Sequence, residues 1–237
     1  MNVMQYDDGC GRYTLKAKSG DLQRRYKLAS VPESTPVSYD VKPGHTLPVI
    51  DASDNGNHQL EMMKWGLIPS WWKQGPKIAS KTFNARDDTV FTSGMWRSIY
   101  KRRVLIPATG YFEWTKPTKD SDVPKQKYFF RPKQYDIFSF AGFYDIWKDV
   151  EDRALKTYTL ITTEPNKEAR AVHDRMPVIL HREDEASWLE PSRVKREDIE
   201  PFLHPLEDNS LEVVEVRSDA ADWAYDDERR IAPLNSR

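Results

Sequence analysis

Residues 137–163, IFSFAGFYDIWKDVEDRALKTYTLITT, decide how the fold is read. Two runs rich in Phe, Tyr, Ile, Leu and Thr, Ile137–Tyr144 and Lys156–Thr163, flank a charged segment, which is the pattern of two strands. No helical crossover lies between them. Working outward, the same pattern recurs at Tyr128–Arg131, Gly110–Thr115, Arg103–Ile106 and Val213–Arg217. Nearer the start, Gly11–Leu15 reads as a short strand, and Thr46–Ile50 and His58–Trp65 flank the turn-rich DASDNG as a hairpin. Helices are few: Leu22–Ala29 with Asp21 as its cap, Glu164–Val172, and Glu183–Leu189. Consecutive strands without regular helical crossovers predict an α+β fold. Its core is a mostly antiparallel or mixed β-sheet curled into a barrel, with short peripheral helices. With no linker, repeat or low-complexity segment, one domain is expected.

Composition bounds the function. Apolar residues make up 38% and charged residues 31%, a polar balance, yet 12% aromatic residues supply the core-forming surface that disordered chains lack. No apolar run approaches the roughly 20 residues of a membrane span, and MNVMQYDDG lacks the basic and apolar regions of a signal peptide. A cytoplasmic, monomeric protein is expected, nucleoid-associated when bound to DNA. The single cysteine excludes an intramolecular disulfide and a multi-cysteine metal site. The five His are scattered without ligand spacing, so neither metal nor cofactor is expected, and His45, His58, His181 and His204 read as structural or surface residues.

A net charge of −1 hides an asymmetry. Residues 64–103 hold nine basic side chains and two acids, a local sum of +7, while residues 183–237 hold 16 acids and seven bases, a local sum of −9. A charge run alone reads as a solvated face. Trp65, Trp71 and Trp72 lie inside the basic stretch, however, and cations interleaved with indoles suit single-stranded nucleic acid. At least one of the three is expected in the core.

Four residues are candidates for chemistry. Cys10, in DDGCGRYTL, has glycine on both sides, a backbone suited to close approach rather than to packing. Glu113 alternates with Phe112 and Trp114 in a strand pattern and is expected to face inward, where desolvation raises a carboxyl toward the useful acid/base range. His173 lies in AVHDRMPVIL, and Asn84 pairs with Arg86 in FNAR, where an Asn alone reads as a turn or cap residue.

In combination and in order, CGRYTL, KWGLIPSWW, FNAR, RRVLIPATGYFEW, FAGFYDIW, TLITTEPN and HDRMPVIL closely resemble the SOS-response-associated peptidase family. The resemblance runs from residue 10 to about residue 190 and is weakest over 191–237. Residues 1–9 read as an N-terminal extension and 10–237 as the domain. The resemblance implies a protein that shields abasic sites in single-stranded DNA. A 1,2-aminothiol condenses with the aldehyde of the ring-opened sugar, the amine giving an imine and the thiol closing a thiazolidine. It also implies roles: Cys10 as nucleophile once N-terminal; Asn84 aligning the reacting atoms; Glu113 and His173 as acid/base groups; Arg12, Arg86 and Arg175 on flanking phosphates; and Trp71 or Trp72 against a neighbouring base.

This chain departs from the family in two places. Nine residues precede Cys10, where the family has only the initiator Met, so the reading requires cleavage at Gly9–Cys10, an altered start, or loss of crosslinking. In SYDVKPG, Asp40 and Lys42 stand where Asn and Ala are usual, placing a new negative charge near the expected DNA groove with a lysine to offset it. Two other functions stay open at this point: a thiol peptidase acting on other proteins, and a module that binds single-stranded or damaged DNA without covalent chemistry.

Overall fold

The computed structural model describes residues 9–97, 99–116, 125–218 and 225–234. Of the extension, only Gly9 falls within them. In chain order the strands are β1 (Arg12–Leu15), β2 (Ser38–Val41), β3 (Thr46–Ala52), β4 (His58–Trp65), β5 (Asn84–Arg86), β6 (Arg103–Ala108), β7 (Gly110–Trp114), β8 (Lys127–Pro132), β9 (Phe138–Lys148), β10 (Ala154–Thr163), β11 (Met176–Pro177), β12 (Ile179–Leu180) and β13 (Leu211–Val216). The helices are α1 (Ser19–Tyr26), α2 (Lys167–Arg170), α3 (Arg182–Leu189) and α4 (Arg196–Ile199). None is long and apolar enough to cross a membrane.

Five strands close on themselves in the order β10-β4-β3-β6-β9, with β9 pairing back to β10. All of these pairings are antiparallel except β4–β10, a two-residue parallel contact that completes the ring. Barrel closure removes the open edges that a five-stranded sheet would otherwise present. The expected α+β fold with a barrel-like mixed-sheet core is therefore the observed one.

A second sheet, in the order β13-β8-β7-β1-β2, leans on the barrel. The two share one chain segment, because β6 belongs to the barrel and β7 to the outer sheet, with the corner at Thr109–Gly110. There the Thr109 and Thr14 hydroxyls bond at 2.8 Å. A Cβ on Gly110 would lie 2.1 Å from the Phe129 ring, so only glycine lets β7 turn this closely under β8. Tyr13, Trp65, Tyr111, Phe130, Phe140 and Tyr158 are fully buried, and Trp65 stacks on Tyr158 with centroids 6.3 Å apart. Aromatic area thus builds much of the core that the modest apolar content understates.

Helix α1 begins earlier than expected. Asp21 lies inside its first turn, where its carboxylate accepts the Lys18 N–H at 2.9 Å, so it caps from within rather than from the preceding position. Strands β2 and β5 were not apparent from sequence. Asn84, which reads as a turn residue, is the first residue of β5.

Candidate active site at the Gly9–Cys10 bond

The site forms where β10 leaves the barrel and exchanges its neighbours. Beyond Tyr158 it pairs with β5 in parallel, Leu160 opposite Asn84 and Thr162 opposite Arg86, and its last residues pair with β11, Thr163 opposite Met176. This places Asn84 on one side, and His173 and Arg175, just before β11, on the other. The outer sheet brings the remaining pieces: Cys10 directly precedes the segment that enters β1, and Glu113 lies on the neighbouring β7.

The side chains converge on one peptide bond. The Asn84 Nδ2 donates to the Gly9 carbonyl and, at 3.2 Å, to the Cys10 carbonyl. The Cys10 N–H donates to Glu113 Oε1. Gly9 itself is enclosed: a Cβ there would lie 3.1 Å from the Arg175 Cβ, 3.4 Å from Glu113 Oε1 and 3.5 Å from the His173 ring. Cys10, Asn84, Glu113, His173 and Arg175, all proposed from sequence, thus meet around Gly9–Cys10, and all five are buried. Gly9, named from sequence only as a flank of Cys10 and one side of the bond to be cut, occupies the centre. The only signal for it was its place before the cysteine, since a residue with no side chain is what so crowded a position accepts.

Gly9 and Cys10 both have positive φ, +73° and +32°. For Cys10 that is a strained conformation, of order 1–3 kcal/mol, held by the surrounding contacts. Burial pushes the Cys10 thiol well above its ordinary value, the charge of Glu113 adds to the rise, and the Arg12 carbonyl contact partly offsets it. The thiol is therefore neutral at physiological pH while the peptide bond is intact. The Arg175 N–H lies 3.1 Å from His173 Nδ1, and Asp174 Oδ1 lies 3.2 Å from the same nitrogen. Nδ1 accepts from the Arg175 backbone N–H, beside the Asp174 carboxylate.

The three arginines assigned to phosphates each meet an aspartate. Arg12 pairs with Asp40 at 2.5 Å, Arg86 with Asp88 at 2.7 Å, and Arg175 with Asp87 at 2.6 Å. Asp40 is further approached by Arg230 at 3.4 Å and Lys42 at 3.8 Å. Trp65 is in the core, as expected of at least one of the three tryptophans, and Trp71 is 42% exposed. Trp72 is half-buried and donates its indole N–H to the Gly75 carbonyl at 3.0 Å. Trp71 packs on the Trp72 ring and lies under the Arg97 guanidinium, 5.7 Å from its ring centre. Among the described residues neither Trp71 nor Trp72 touches the Cys10 cluster; their loop is tied instead to Asp145 and Trp147 of β9. Among the same residues, no three His, Cys, Asp or Glu side chains converge as metal ligands would.

Known proteins bear on this arrangement. A Bacillus subtilis protein named abasic site processing protein YoqW is 34% identical over 212 residues, covering 88% of this chain and 92% of that one. The Xenopus tropicalis abasic site processing protein HMCES is 30% identical over 196 residues, covering 72% of this chain and 58% of that longer one. A crystal structure of a Bacteroides thetaiotaomicron protein superposes with a TM-score of 0.84 at 29% identity, covering 94% of this chain and 99% of that one. The sequence profile described as SOS response associated peptidase matches residues 9–222, so the chain belongs to that family.

Proposed function

We propose that this chain processes abasic sites in DNA by covalent capture on Cys10, after its own Gly9–Cys10 bond is cut. The observation that carries the reading is the set of contacts on that bond: Asn84 on the Gly9 carbonyl oxygen and Glu113 on the Cys10 nitrogen.

Those contacts suit cleavage. Attack of the Cys10 sulfur on the Gly9 carbonyl carbon forms a five-membered ring by connectivity alone, and the thiol proton passes to Glu113, directly or by way of His173. Negative charge then develops on the oxygen that Asn84 already addresses. Collapse breaks the C–N bond as Glu113 returns a proton to the departing nitrogen, leaving a thioester. Water hydrolyses it to a Gly9 carboxylate and a free Cys10 amine and thiol. Relief of the strained Cys10 backbone favours this direction.

Capture uses the same groups. The freed Cys10 amine, beside Glu113, adds to the C1′ aldehyde of a ring-opened abasic sugar and loses water to give an imine. The thiol adds across that C=N bond, its proton going to nitrogen, and closes a thiazolidine. While the new amine is protonated its charge opposes the burial that keeps the thiol neutral, and it gives that proton to Glu113 before it adds to the aldehyde. The buried thiol, with the chain's own Gly9 in the cleft, speaks against a peptidase acting on other proteins.

The test is a denaturing gel of the full chain, a form beginning at Cys10, and Cys10→Ser, each with single-stranded DNA holding one abasic site. A Cys10-dependent covalent band from the full chain and the trimmed form supports the reading. A band from the trimmed form alone keeps capture and removes self-cleavage, and no band from either overturns both.

A further inference from the structure

Each of the three arginines that the family resemblance assigns to phosphates is held by a carboxylate. Asp87 also accepts the Thr163 hydroxyl at 2.7 Å, so it is fixed from two sides. Asp40 is buried at 8% exposure on β2 and serves Arg12 and, from the far end of the chain, Arg230. These two carboxylates are therefore fixed parts of the fold rather than passing surface contacts. By contrast Lys73, Lys77 and Lys101 are exposed and form no ion pair among the described residues.

We propose that Asp40, Asp87 and Asp88 are specificity-determining residues that occupy the places of DNA phosphates and so suppress binding of undamaged strands. This inference rests on the proposed function. A phosphate approaching Arg12 or Arg86 must share the guanidinium with a carboxylate already in place. One reaching the buried Arg175 must also compete with its bond to the Thr162 carbonyl. That like-charge approach opposes binding. An undamaged strand offers only phosphate contacts in return. A strand with an abasic site forms a covalent bond to Cys10, which outlasts the weak encounter. The exposed lysines draw DNA in from a distance, while the paired arginines deny it a tight non-covalent complex. Discrimination thereby moves from charge to chemistry, through a repulsive element built against the wrong ligand.

The experiment measures binding of a fluorescent undamaged single strand by anisotropy across a salt series, for the wild type and for Asp40→Asn, Asp87→Asn, Asp88→Asn and the triple variant. Asp88→Asn, which breaks an exposed pair, is expected to tighten binding about threefold. The triple variant is expected to tighten it about a hundredfold and to steepen the log–log salt dependence by about 0.7 for each phosphate newly bound. An unlabelled undamaged strand should then compete against crosslinking of an abasic strand at correspondingly lower concentration. Asp40→Asn and Asp87→Asn each remove a counter-charge from a mostly buried guanidinium, so thermal unfolding accompanies them. Asp88→Asn decides the matter if those variants unfold. Wild-type affinity and salt slope in Asp88→Asn overturn the inference. Absence of a Cys10-dependent crosslink in the wild type overturns the proposed function instead, since the anisotropy series uses no abasic site.

Discussion

At the scale of single residues, the site divides labour between two atoms of one peptide bond. In the proposed reaction Asn84, which donates to the carbonyl oxygen, stabilises it, and Glu113, which accepts from the nitrogen, serves the departing amine. Asn84→Ala removes an oxyanion donor and is expected to slow Gly9–Cys10 cleavage about 10²- to 10³-fold, read as loss of the Met1–Gly9 mass in a time course of freshly refolded protein. Cleavage at the wild-type rate would remove Asn84 from the mechanism. The uncleaved Asn84→Ala chain also permits a titration test. The Cys10 thiol binds its proton more tightly folded than unfolded, so the unfolded state ionises first as pH rises, and folding stability falls with pH. The loss begins near the ordinary thiol value of about 8.5 and continues until the folded thiol itself ionises, at up to about 1.4 kcal/mol per pH unit. Urea unfolding of Asn84→Ala, with and without Cys10→Ser, should show this slope only where the thiol is present. Cys10, Glu113, Asn84 and His173 were legible because the motifs carrying them are specific in combination. The crowding around Gly9 and the pairing of each arginine with an aspartate were not, because both are facts of three-dimensional packing.

Elements matter here mainly through the corner between β6 and β7. That corner carries the chain from the barrel to the outer sheet and sets where Glu113 arrives. Gly110→Ala places a methyl against the Phe129 ring and is expected to cost about 1–3 kcal/mol, seen as a lower thermal midpoint. An unchanged midpoint would mean that the ring moves aside freely. The longer strands were legible from runs of Phe, Tyr, Ile and Thr, and the β3–β4 hairpin from DASDNG. β5 was not, because in Asn84–Arg86 only Ala85 is apolar and the strand exists through its pairing with β10. The start of α1 was misread for a related reason, since an acid in the first turn and an acid at the cap look alike in sequence.

For the whole molecule, the barrel was expected from sequence, while the particular pairing that closes it and the C-terminal return were not. Barrel closure rests on the short parallel β4–β10 contact between residues far apart in the chain, and no local pattern announces such a pairing. The described part of the acidic end, residues 225–234, packs on the outer sheet. Asp226 accepts from the Ser38 hydroxyl and the Tyr39 N–H on β2, Arg230 reaches Asp40, and Pro233 bridges Val216 of β13. A chain ending at Ser218 loses all three contacts and leaves part of the β2 edge open. It is expected to lose about 1–3 kcal/mol, a fall of several degrees in thermal midpoint for a protein of this size. An unaltered midpoint would make the return decorative.

The position of Gly9 has a consequence for when the protein becomes reactive. The two polar clasps on its bond to Cys10 come from Asn84, on the Gly9 carbonyl, and Glu113, on the Cys10 nitrogen, which lie 75 and 103 residues downstream of those partners. Under the proposed reaction, the cut cannot occur until both sheets have assembled. A nascent chain with a free N-terminal cysteine would scavenge whatever small aldehydes the cell contains, and each such adduct would consume a single-use molecule. Coupling the cut to completed folding means that the warhead is armed only inside the finished cleft, where access is already restricted.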